Sequence, residues 1–217
     1  MKNYRNHLVL CAWCLAGSEG VLATGNVEPS LLSSTADVAL TSGLGELRKS
    51  DLSLEEREVR IWTGFGSIVP EHMVRMLVNQ RGEVSGFVFV HYPHDLSFLG
   101  DNETEKAFRN EVHCSEDSVQ RGNEVHVCTS TLQESLDWEK EYRALVGLGL
   151  WDLPDESELP PPETEVLDGA AVLVEVRVGG NYRAYQYINP GFRKGKEAGA
   201  AVKIMQRVYS IIAGVET

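Results

Sequence analysis

Basic residues are scarce in this chain. Twenty Lys and Arg stand against 32 Asp and Glu, a formal charge of -12 over 217 residues. Such a surface repels phosphate backbones and anionic head groups, which argues against nucleic acid as a partner. Long apolar runs are missing as well: no stretch reaches the roughly 18 to 20 residues that a membrane-crossing helix needs, so no membrane span is expected. Catalytic signatures are absent from the text of the sequence. There is no G-x-S-x-G elbow and no EF-hand order of ligands. The two G-x-G matches, Gly64-Phe65-Gly66 and Gly147-Leu148-Gly149, lack the third glycine of a dinucleotide loop and read as turn and helix-stop glycines. What is present is an ordinary globular composition, 42% hydrophobic and 24% charged, at a length suited to one domain or at most two small ones.

The N-terminus has the order of a secretory signal. Lys2 and Arg5 precede the apolar run Leu8 to Ala16, and Val21-Leu22-Ala23 supplies small residues at the cleavage positions. Residues 1–23 are therefore read as a signal peptide, and the protein as exported, periplasmic or extracellular. Cys11-Ala12-Trp13-Cys14 has redox-motif spacing but lies in the apolar core of that signal. Cleavage after Ala23 removes both, leaving Cys114 and Cys128 in a compartment where disulfides persist. The two are expected to pair, a closure worth about 3 kcal/mol in the chain-entropy model.

Residues 24–52 are rich in Ser, Thr and Gly without a sustained period and read as a flexible segment with little packing; 53–217 read as a single domain. Ser53-Leu54-Glu55-Glu56 has capping-box spacing, and Glu58 to Trp62 alternate as a strand. Met73–Val78 and Val84–Tyr92 flank Asn79-Gln80-Arg81-Gly82 as a hairpin; the second strand is apolar on both faces and so central. Residues 93–120 are polar and irregular, and Glu124–Thr129 resume alternation. Ser135 is placed to cap a helix carrying Trp138, Tyr142, Leu145 and Val146 on one face. The clearest hairpin joins Val172, Val174, Val176 and Val178 through Gly179-Gly180-Asn181 to Tyr182–Ile188. A last helix bears Ala198, Ala201, Val202, Met205, Val208, Tyr209 and Ile212 on one stripe. The expected fold is α+β: a mostly antiparallel sheet built from hairpins and covered by two helices. Its core should join Val88, Val90, Val172, Val174 and Val176 to Leu145, Val202, Met205 and Val208.

Three segments together, Arg57-Glu58-Val59-Arg60-Ile61-Trp62-Thr63-Gly64-Phe65-Gly66, Leu148-Gly149-Leu150-Trp151-Asp152-Leu153-Pro154-Asp155 and Tyr182-Arg183-Ala184-Tyr185-Gln186-Tyr187-Ile188-Asn189-Pro190, resemble a group of exported bacterial proteins of unknown function. The resemblance covers roughly residues 57 to 213. It implies export and a single domain, and it carries no activity and no catalytic residues.

The richest set of potential ligands is His91, His94, Asp95, His113, Cys114, His126 and Cys128. A zinc or copper site requires three or four such groups converging near roughly 2.0 to 2.3 Å on one ion, and spacing alone does not show convergence. Histidines of a loop and a sheet surface beside a disulfide are the competing reading. Asp152, Asp155, Glu156, Glu158, Glu163 and Glu165 read as a solvated acidic loop around three prolines, and Tyr182, Tyr185 and Tyr187 as either an exposed recognition strip or core. The functional expectation is an exported, non-enzymatic binding or envelope-accessory domain for a protein or small-molecule ligand, with no cofactor, metal or catalytic residue assigned. The alternative is a metal-dependent hydrolase using His91, His94, His113 and His126.

Overall fold

The computed structural model describes residues 28–41, 43–65, 71–92, 119–122, 125–130, 136–164, 166 and 169–215. The signal region, His94, His113 and Cys114 lie outside them. The fold is α+β, and the described residues form one antiparallel sheet of seven strands: β1 (Arg57–Thr63), β2 (Glu71–Val78), β3 (Val84–Tyr92), β4 (Val119–Gly122), β5 (Val125–Ser130), β6 (Ala171–Val178) and β7 (Asn181–Ile188), in the order β4-β5-β3-β2-β1-β6-β7.

Both expected hairpins form. Asn79 closes the β2–β3 turn: its side-chain oxygen accepts from the backbone N–H of Arg81 at 2.9 Å and of Glu83 at 3.0 Å, and Gly82 supplies the left-handed residue at φ +80°. The β6–β7 turn is the two-residue Gly179-Gly180. Ser53 and Glu56 form a turn instead of starting a helix: the Ser53 N–H donates to the Glu56 carboxylate at 3.0 Å, and the chain passes directly into β1.

Side chains alternate between two covered faces. On the first, Val59, Ile61, Val74, Val88, Val172, Val174, Val176, Tyr185 and Tyr187 pack under α2 (Trp138–Gly147) and α3 (Lys196–Val215). The α2 cap is Asp137, whose carboxylate accepts from Lys140 N–H at 3.0 Å, not Ser135, because Asp137 directly precedes the first helical residue. On α3 the buried stripe is Ala198, Ala201, Ile204, Val208, Ile211 and Ile212. Val202 and Met205 are only half-buried and Tyr209 is exposed, so the helix is rotated from the stripe expected of it. Ile204, which the pattern had placed off the core, lies in it.

The second face carries Trp62, Met73, Phe89 and Leu173 beneath α1 (Leu32–Thr41). Residues 28–50 are therefore not a loosely packed tail: Leu32, Val38, Ala39 and Leu47 are buried. Their small and hydroxylated neighbours hide the helical period, and the burial is supplied by a sheet face remote in sequence.

Candidate functional site

Glu58, Arg60, Trp62 and Glu175 lie on the second face, in strands β1 and β6. Glu58 and Arg60 alternate with Val59 and Ile61, yet both are buried, and Arg60 donates to the carbonyls of Gly45 at 2.6 Å and Leu44 at 3.4 Å. Arg60 donates to the Glu58 carboxylate at 2.8 Å, and Arg75 donates to both oxygens of the same group at 2.7 and 2.8 Å. Burial alone would raise Glu58. The Arg75 hydrogen bond and the charges of Arg60 and Arg75 outweigh it and hold the carboxyl below its ordinary range. Glu175 behaves oppositely. It accepts from Trp62 Nε1 at 2.9 Å and Tyr182 Oη at 3.0 Å, yet burial exceeds those gains and pushes its pKa up. Burial and the adjacent Glu175 carboxylate raise Tyr182, which stays a donor.

A second polar assembly joins two of the three segments that stand out in the sequence. The turn after α2 lies along β7: Arg183 donates to the Trp151 carbonyl at 2.8 Å and to the Leu153 carbonyl, and Tyr185 Oη donates to the Leu150 carbonyl at 2.8 Å. β7 is an edge strand, and two of its outward N–H groups are capped by acids. Gln186 N–H donates to Asp155 at 2.9 Å and Ile188 N–H to Glu156 at 2.8 Å. Asp155 and Glu156 are thus buried structural acids, a correction to the solvated-loop reading; Glu158 and Glu163 remain exposed. Satisfied edge donors cannot pair with another strand. Tyr185 and Tyr187 are also buried, which excludes the exposed recognition strip.

Between this turn and the start of α3 lies a shallow cleft of about 290 Å³, lined by Leu148, Gly149, Asp152, Leu153, Pro154, Lys196, Glu197 and Ala200. Its wall is apolar and its rim carries both signs of charge, with Lys196 Nζ 3.7 Å from the Glu197 carboxylate. Such a site suits a small apolar group bearing a charged or polar end.

Of the potential ligand set behind the alternative reading, His94, Asp95, His113 and Cys114 lie outside the described residues. The β3–β5 register pairs His91 with Val127 and Tyr92 with His126. Cys128 pairs with Val90 in β3 and with Val119 in β4. Among the described residues no group of three or more His, Cys, Asp or Glu is placed to hold a metal ion. No helix among them is long and apolar enough to cross a membrane. Neither a family model, nor a curated protein, nor a solved structure matches the chain.

Proposed function

We propose that this chain is an exported, non-enzymatic binding or envelope-accessory domain. The cleft beside α3 carries the binding half of that reading. It is bounded by elements fixed through Arg183, Tyr185 and Asp155, so its walls are set before any ligand arrives, which lowers the ordering cost of binding. Export rests on the order of charge, apolar run and small residues in 1–23, and on the resemblance to exported bacterial proteins.

A thermal-shift screen of small carboxylates, amines and short peptides against the full-length mature protein tests the cleft. An Ala200→Trp variant, which fills the space, should fold and lose the stabilisation that a hit gives to wild type. A hit that stabilises both proteins equally would place binding elsewhere. N-terminal sequencing of protein from the native host tests export, with Thr24 expected as the first residue. An intact Met1 on cytosolic protein would falsify it.

A further inference from the structure

We infer that residues 28–50 are a peptide ligand held in cis: a clasp that opens from the second sheet face as a unit and uncovers a groove able to take the same segment from a second copy of this chain. The inference stands apart from the cleft, which lies beside the opposite face.

The way the clasp is gripped supports it. The segment contributes no strand to the sheet. Its polar ties to the sheet come from sheet side chains and reach mostly its main chain, as a receptor holds a peptide. At one end Gln186 Oε1 accepts from Leu31 N–H at 2.9 Å, while Gln186 Nε2 donates to Ser30 Oγ at 2.9 Å. At the other end Arg60 donates to the Gly45 carbonyl at 2.6 Å, and Arg177 donates to the Arg48 carbonyl. Between these ends sit apolar anchors: Leu32 and Val38 on α1 and the fully buried Leu47. A helix of apolar anchors, followed by a short 3-10 turn at Leu47–Lys49, lies in the groove much as an amphipathic helix does in helix-in-groove recognition.

The groove is also built independently of its occupant. Arg60 and Arg75 are held by Glu58, and Trp62 and Tyr182 by Glu175, all through bonds within the sheet. The larger core under α2 and α3 lies wholly on the other face. Opening therefore leaves the main core and the groove side chains in place, the condition for a local unit that opens below the global unfolding free energy. A second copy fits the opened groove because it brings the same anchors and carbonyls. Exchange of an identical segment between copies costs little once the connection, here 51–56, lets the segment swing away.

Hydrogen exchange of the full chain tests the opening. Amides of 32–47 should exchange together, at least about tenfold faster than those of β1 and β6. Exchange at the rate of the sheet would overturn the clasp. A fluorescent peptide of sequence 28–50 tests the groove. The full-length Leu47→Glu variant, whose own clasp is weakened, should keep protected sheet amides and take up the wild-type peptide at least about tenfold more tightly than wild-type protein does. A peptide carrying Leu47→Glu should not bind. Loss of sheet protection in the variant, or no uptake by a variant whose sheet is intact, overturns the proposal.

Discussion

The Trp138 indole lies on the backbone of Gly86. A β-carbon at residue 86 would come 2.5 Å from Trp138 Cε3 and 2.7 Å from the Arg75 carbonyl oxygen. Glycine in mid-strand weakens a strand, and here it lets the first turn of α2 approach β3 closely.

Gly86→Ala should therefore destabilise by about 1 to 3 kcal/mol through overpacking against Trp138 and backbone that cannot yield. Gly199, in α3, has nothing within 4 Å of a β-carbon and is the control. Gly199→Ala should raise stability by about 0.5 to 1 kcal/mol through helix propensity. Chemical denaturation of both variants beside wild type measures the difference, and equal effects would contradict the Gly86 contact.

Stability should depend on pH through two buried acids of opposite sign. Glu175 is raised by burial, so the fold favours its neutral form. Its cost is absent below the ordinary carboxylate pKa and grows as pH rises from there through the raised one. Glu58 is depressed by Arg75 and Arg60. Its contribution is full above the ordinary carboxylate pKa and is lost as pH falls through the depressed one. Glu175→Gln should raise the melting temperature at pH 8 relative to wild type and narrow that gap toward pH 4. Glu58→Gln should lower it at pH 8, leaving Arg60 and Arg75 without their shared carboxylate.

Removing the carboxylates that cap β7 should expose a pairing edge. Asp155→Ala with Glu156→Ala deletes the acceptors of the Gln186 and Ile188 N–H groups, each bond to a charged acceptor being worth about 1.5 to 3 kcal/mol. Light scattering at increasing concentration should show more self-association than wild type. A variant that stays monomeric and loses only stability would limit these acids to bracing.

The rotation of α3 gives a paired test of the core. Ile204→Asp buries a charge at a fully buried position and should cost several kcal/mol or prevent folding, by roughly the penalty of an unpaired buried carboxylate. Val202→Asp, at a half-buried position, should be milder. Melting curves in the reverse order would mean that the helix packs by its other stripe.

Cys114 and Cys128 should be linked in mature protein recovered from its native host. Peptide mapping without reductant should give one linked peptide, and reduction should lower the melting temperature by an amount consistent with about 3 kcal/mol. Two free thiols would reject the bridge.

Much of the local structure was legible in the sequence. The valine alternation of 172–178 with Gly179-Gly180 specified a hairpin, and Asn79 to Gly82 specified a turn, because side-chain period and turn chemistry act over a few residues. The candidate site was less so. The cleft is made by residues 148–154 and 196–200, segments remote in sequence that meet where Arg183 and Tyr185 hold the first along β7.

By itself the sequence determined strand periods, turns, the acidic surface and the α+β class, since each follows from residue type and spacing. Tertiary structure alone decided which polar residues are buried. Glu58, Arg60, Asp155 and Glu156 are spaced like surface residues, and they leave water because residues 28–50 and the 150–156 turn fold over strands distant in the chain. Burial of a charge depends on which segment covers it and which partner meets it there, and both are set by contacts between parts of the chain that no local period encodes.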